Sequence, residues 1–327
     1  MNDPFPFRCP PQLASAVKPL AQQLGLSTLP AHLHEIAFAY LLYEATFRLI
    51  SPLLSTFLAP RLYTSFSRRG RLNWDAHVTS QVQALLINGL ALWAMFADPL
   101  REVQDVPSAW RARLWGYSGA TGLAQAMAAG YFLWDATASA LHMDVMGASA
   151  LAHAAAALAI TTLGFRPFAN YYGLNFVLYE LSTPFLNIHW FLDKLGYTGS
   201  TLQFANGMLL LLTFGASRLV WGSWQSWRIY CDVWEAWRDR TPYELKCKAY
   251  RAVMSDALGL SVPKECRIMP PWLALLYVCG NTVLSVLNFW WYYKMIAAVR
   301  KRFTAPDPKD KNKKYVNEID AAMGSKD

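Results

Sequence analysis

Charge is scarce in this chain. Asp, Glu, Lys and Arg make up only 16% of its 327 residues while 54% are hydrophobic, whereas soluble domains carry roughly 25% charged residues. Catalytic signatures are also lacking: the sequence has no P-loop, no GxGxxG fingerprint, no GxSxG elbow and no HExxH helix, which removes the common nucleotide, hydrolase and zinc-protease chemistries. Its five cysteines, Cys9, Cys231, Cys247, Cys266 and Cys279, show neither CxxC spacing nor accompanying His clusters, so neither a disulfide framework nor a metal is expected. The first residues lack the short apolar run and small-residue cleavage site of a signal peptide, and the first span is expected to serve as its own insertion signal.

What is present is clumped hydrophobicity. Seven windows are long and apolar enough to cross a hydrocarbon core: Ile36–Leu58, His77–Ala97, Leu114–Trp134, Gly147–Phe165, Phe168–Leu192, Gln203–Trp221 and Pro271–Val299. A soluble helical protein would need amphipathic helices to cover so many apolar ones, and too few remain. The fold class expected is therefore all-α, a multi-pass transmembrane helical bundle. Arg61, Arg68, Arg69 and Arg71 follow the first span without an acid, and Arg300, Lys301, Arg302, Lys309, Lys311, Lys313 and Lys314 follow the last. By the positive-inside rule both stretches are cytosolic, which places a lumenal segment at 1–34, the membrane domain at 35–299 and a basic cytosolic tail at 300–327. The net charge of +8 then reflects residues facing anionic lipid, and no nucleic-acid partner is expected.

Polar side chains at membrane depth are costly and mark candidate sites. On the second span His77, Gln81 and Asn88 share a face, a seam that suits either lining a cavity or gluing helices together. Asp135 ends the third span, and His153 lies in the Ala-rich fourth. The fifth holds Asn175, Glu180, Asn187 and His189, with Pro184 one turn after Glu180 to bend the helix beside the carboxylate. Asn206 and Arg218 in the sixth span and Asn288 in the seventh are candidate partners. Glu44 and Arg48 have the spacing of a structural ion pair. In the insert 222–269, Trp224, Trp227 and Trp234 recur at helical spacing with Arg228, Arg238 and Arg240, which predicts an amphipathic helix lying on the bilayer surface.

Several of these residues fall in an order that resembles the TLC family, the membrane domain of ceramide synthases, translocation-associated membrane proteins, the neuronal ceroid lipofuscinosis ER protein and the TLC-domain-containing (TLCD) proteins. The carriers are Trp74 with Ser80, the GYFLWD run ending at Asp135, His153, the stretch ELSTPFLN from Glu180 to Asn187, Asn206-Gly207, Phe214 with Arg218, and Leu287-Asn288 before Trp291. ELSTPFLN is closest to the TLCD branch. The resemblance implies a barrel of about six helices around a lipid-accessible cavity, with a seventh span outside it, in the endoplasmic reticulum. Two synthase features are missing: the His-His pair reads Ala152-His153, and Asn175 to Tyr179 lacks the HDxxD acids. The functions implied are a lipid-binding, sensing or handling protein of membrane lipid homeostasis, or a lipid acyltransferase. The latter would use acyl-CoA or a phospholipid as donor, His153 as general base and Asp135 or Glu180 to orient it. A cargo-sorting or translocon-assisting role is the third. Membrane lipids, as acyl chain or phospholipid, are the expected partners.

The charge distribution makes a topological prediction. Protease added to sealed microsomes should remove an epitope at the C-terminus, while a tag in the loop from Asp98 to Arg113 stays protected; a protected C-terminus overturns the orientation.

Overall fold

The computed structural model describes residues 3–239, 245 and 270–303. All regular structure among these residues is helical. Helix α1 (Pro11–Gln23) leads to α2 (Leu29–Ala45), which continues without a break through a wide π turn, Thr46–Ile50, into α3 (Ser51–Leu58). A short α4 (Pro60–Ser65) joins this rod to α5 (Arg68–Ala97). The loop after α5 holds two short helices, α6 (Leu100–Asp105) and α7 (Trp110–Trp115), before α8 (Gly119–Leu141). After α9 (Met143–Met146) come α10 (Ala148–Leu163), α11 (Asn170–Val177), a 3₁₀ turn at Leu178–Ser182 and α12 (Thr183–Lys194). The last elements are α13 (Thr201–Phe214), a second π turn at Gly215–Trp221, α14 (Gly222–Arg238) and α15 (Pro271–Phe303).

Polarity runs opposite to that of a soluble domain. Phe57, Phe96 and Val220 are 82%, 88% and 74% exposed, while Glu35, Gln104, Asn175, Gln225 and Asn288 are fully buried. Apolar surface on this scale is what a monomer in water avoids and a bilayer requires. By length and composition Arg68–Ala97, Thr201–Arg238 and Pro271–Arg300 can each cross a membrane, and Ala148–Leu163 is a shorter apolar helix. The chain is an integral membrane protein built as a helical bundle.

Helix α8 is the hub of the packing, touching α2, α5, α10 and α11. Its sequence explains this: Gly119, Ala120, Gly122, Ala124, Ala126, Ala128, Ala129 and Gly130 are all buried and small, so neighbouring backbones approach closely. At Gly130 an added Cβ would lie 2.5 Å from the Ala39 Cβ and 2.6 Å from the Ile36 carbonyl, so any side chain there would push α2 away.

The Trp-rich segment departs from the sequence expectation. It starts no separate surface helix but continues the sixth span, so that Thr201–Arg238 is one helix of 38 residues. At 1.5 Å per residue that is about 57 Å, nearly twice a hydrocarbon core of about 30 Å. Trp224, Trp227, Trp234 and Trp237 face outward, whereas Gln225, Ile229, Asp232 and Val233 are buried and α14 packs on α7, α11 and α15. The cause is a contact that sequence spacing does not reveal. Arg113, ahead of α8, donates through Nε and Nη2 to the two carboxylate oxygens of Asp232 at 2.6 and 2.7 Å, and Tyr172 donates to the same carboxylate at 2.6 Å. Remaining Arg113 protons bond the Gln104 and Val106 carbonyls at 3.0 and 2.7 Å. Burial alone would lower the Arg113 pKa, but the paired Asp232 more than offsets it and raises it above the ordinary value. The rest of the insert, 240–269 apart from Leu245, and the tail beyond Phe303 lie outside the described residues.

At the opposite end of the bundle Arg68 donates to Asp144 at 2.6 Å, both largely exposed, and this bond holds the Asp144 carboxyl below its usual range. The two pairs should behave differently. Arg113→Ala strands a buried carboxylate and is expected to cost about 3–5 kcal/mol of stability, whereas Arg68→Ala leaves a carboxylate that water screens and should not move the unfolding midpoint. Thermal unfolding of the detergent-solubilised variants measures both.

Candidate functional site

The fifth span is broken where its sequence is richest in polar residues. Pro184 stands in the first turn of α12 and has no N–H for the Glu180 carbonyl one turn back, which accepts from the Thr183 N–H at the end of the 3₁₀ segment Leu178–Ser182 instead. The neighbouring Tyr179 carbonyl accepts from Ser182 Oγ at 3.2 Å and from Arg218, carried on the π turn of the sixth span. Its Nε donates to the Tyr179 carbonyl at 3.0 Å and to Ser182 Oγ at 3.3 Å, and Nη1 donates to Asn288 Oδ1 at 3.4 Å. Nη2 lies 4.0 Å from Glu180 Oε1, while Glu180 Oε2 accepts the Thr183 hydroxyl at 2.7 Å. Glu180, Arg218 and Asn288, predicted from three separate spans, thus meet.

A second cluster joins α5 to α12. His77 Nδ1 bonds Asn187 Oδ1 at 2.8 Å, with its ring stacked 4.1 Å from that of Trp190. The Asn187 amide donates to Ser80 Oγ at 3.2 Å. Gln81 follows on α5 with its Oε1 buried and without a protein partner.

The remaining predicted residues do not join these clusters. Asn175 belongs to the end that holds α6: its Oδ1 accepts from Arg101 Nη2 at 2.7 Å and its amide donates to Gln225 Oε1 at 2.8 Å. Asn206 donates to the Phe185 carbonyl at 2.8 Å, and Asn88 to the Ala84 carbonyl of its own helix at 2.6 Å. His189 Nδ1 is buried without a partner. His153 sits on the exposed face of α10, its ring edge-on to Phe132 at 6.5 Å. The imidazole makes no hydrogen bond among the described residues, and Glu180 is committed to Thr183 and Arg218.

A cleft of about 430 Å³ opens between α2, α5 and α8, within the usual size range of ligand sites. Phe5, Phe38, Leu85, Gly89, Leu123 and Met127 are among its walls, every one apolar or glycine, and none of the predicted polar residues lines it. A Cβ added at Gly89 would meet nothing within 4 Å, so the space over this helix face is open.

Sequence reasoning passed over three features. Arg101, in the loop from Asp98 to Arg113, is buried and bonds Asn175. Asp75 is a buried carboxylate that accepts from Ser51 at 2.6 Å and Tyr63 at 2.9 Å; its spacing from Trp74 and Ser55, which also bond at 2.8 Å, carries no signal until α3 and α5 are side by side. The third is His32-Leu33-His34-Glu35, whose His-x-His-Glu spacing straddles the boundary between the expected lumenal segment and the membrane domain.

The contacts rank the site residues. Arg218→Ala removes the donors to Tyr179, Ser182 and Asn288 together and should cost at least about 2 kcal/mol, the scale of hydrogen bonds to a charged group. Glu180→Gln keeps an acceptor for Thr183 and should cost less. Thermal unfolding of both variants in detergent checks the order, and a larger loss for Glu180→Gln would contradict it.

The chain's relatives are consistent with this architecture. The family description of the TLC domain, which covers the TRAM, LAG1 and CLN8 proteins, matches residues 73–297. The chain is similar to an uncharacterized TLC domain-containing protein of Schizosaccharomyces pombe, with 36% identity over 90% of this chain and 88% of that protein. It is also similar to topoisomerase I damage affected protein 4 of Saccharomyces cerevisiae, at 25% identity over 86% and 88%. TLC domain-containing protein 4-B of Danio rerio shares 27% identity over 82% and 89%. With the domain matched from the second span to the seventh, and with relatives of the TLCD type along most of its length, this chain belongs to the TLC-domain family.

Proposed function

We propose that this protein handles membrane lipid, holding part of an acyl chain in the cleft between α2, α5 and α8, in the endoplasmic reticulum with its N-terminus lumenal. The cleft itself carries the reading: it is apolar throughout, of ligand size, and set in a wall that faces hydrocarbon.

Handling is favoured over acyl transfer. A general base must come within hydrogen-bond reach of the proton that it removes, beside the bound substrate. His153 is on the outer face of α10 and does not line the cleft, and Glu180 is occupied by Thr183 and Arg218. Lipid retention without turnover is the behaviour that such a site supports, and a role in membrane lipid homeostasis follows from it.

The test uses the space above Gly89. A Cβ at Gly89 meets nothing within 4 Å and leucine is the better helix former, so Gly89→Leu is expected to fold and to occupy the cleft. Mass spectrometry of lipids that co-purify in mild detergent should show severalfold less bound lipid in Gly89→Leu than in the native protein, with His153→Ala unchanged. Equal lipid in Gly89→Leu would refute the cleft, and accumulation of unreacted acyl donor and unacylated acceptor with His153→Ala would establish the transferase instead.

A further inference from the structure

At the start of the first span, groups of the kind that bind metals converge from two separate stretches of chain. His32 Nδ1 lies 2.8 Å from Glu35 Oε2 and 3.7 Å from Asp3 Oδ2, and one ligand atom from each of Asp3, His32 and Glu35 falls within 4.8 Å of the others. A tetrahedral zinc ion with ligands at 2.0–2.1 Å places neighbouring ligand atoms about 3.3 Å apart, between the two distances from His32. The N-terminal segment is held over this point by a bond from His34 Nε2 to the Phe7 carbonyl at 2.7 Å.

Two observations separate this cluster from an ordinary buried ion pair. Glu35 is fully buried, yet its Oε1 has no hydrogen-bond partner among the described residues, and His34 Nε2, 3.8 Å from it, bonds the Phe7 carbonyl instead. A proton shared between His32 and Glu35 would engage Oε2 alone and leave that oxygen bare, a costly arrangement away from water. The second is the far side of the imidazole, where His32 Nε2 is hydrogen-bonded to the Tyr117 hydroxyl. Metal-binding histidines are oriented in this way, with the other ring nitrogen held by an outer partner so that the free lone pair faces the ion. Two carboxylates and a neutral imidazole also balance a divalent cation, so the buried site carries no net charge.

We propose that Asp3, His32 and Glu35 form a binding site for a divalent transition metal, zinc being the best match to one nitrogen and two carboxylate ligands, and that the ion pins the N-terminal segment onto the mouth of the first span. The fourth position is left to solvent or a further ligand. This site is separate from the lipid cleft and does not depend on it.

Full-length protein bearing a C-terminal affinity tag that contains no histidine, purified in mild detergent, is stripped with chelator and reloaded with Zn²⁺. Elemental analysis should return about one zinc per chain, and zinc should raise the unfolding midpoint. Asp3→Asn changes a solvent-exposed side chain and leaves the span intact. Loss of even an outer partner typically weakens such sites by about 10- to 100-fold, so Asp3→Asn should bind Zn²⁺ at least about tenfold more weakly, measured against a chromophoric chelator, and His32→Gln should not retain it. If His32→Gln does not fold, Asp3→Asn decides the matter alone. Native protein that holds no zinc above the detergent blank, or Asp3→Asn that binds zinc as tightly as native, would overturn the proposal.

Discussion

A hydrocarbon core contains no water, so every polar group that enters it must find a partner inside the protein. The organisation of this chain follows from that constraint. Arg218 can lie in the sixth span because the fifth is broken opposite it, and the fifth can be broken because Arg218 takes up the Tyr179 carbonyl. Neither feature is stable alone. The same mutual dependence holds for His77 with Asn187 and for Arg101 with Asn175, which together stitch α5 and its following loop to the fifth span. What the bundle turns outward is Leu, Phe, Val and Trp.

The sequence was legible where a signal is local. Apolar windows marked where helices lie, three of them long and apolar enough to cross a membrane, and Pro184 located the break beside Glu180, since a missing N–H acts within one turn. Meeting points between spans were only partly legible. Arg218 was a natural partner for Glu180 because few charges are available at membrane depth, but Asn175 was grouped with Glu180 by proximity in sequence and in fact belongs to Arg101 and Gln225. The bend between them takes Asn175 to another level of the bundle. Composition misled for the Trp-rich segment. Its amphipathic pattern is real, but the polar face is occupied by Arg113 and Tyr172, and helix periodicity cannot distinguish a face turned to water from one turned to a buried arginine.

The polar clusters and the apolar cleft occupy different parts of the molecule, which bears on how a TLC-type bundle can be adapted. Glu180, Arg218 and Asn288 hold spans five, six and seven together, while the cleft uses spans one, two and three. Substitutions that reshape the cleft therefore need not disturb the group that keeps the broken helix in place. Absence of the second histidine before His153 fits the same division, because the outer face of α10 borders neither region.

The two π turns have a consequence for the chain's register. Each accommodates one residue more than an α-helix would hold in the same length, and each carries a basic residue, Arg48 in one and Arg218 in the other. One residue corresponds to about 100° of rotation about the helix axis. Winding Gly215–Trp221 as regular α-helix with all seven residues kept would swing all of α14 by that angle, turning the outward tryptophans toward the bundle and carrying Asp232 away from Arg113. The wide turn thus works as a phase setting between α13 and α14, and loss of one residue there would be absorbed as regular helix with that phase kept.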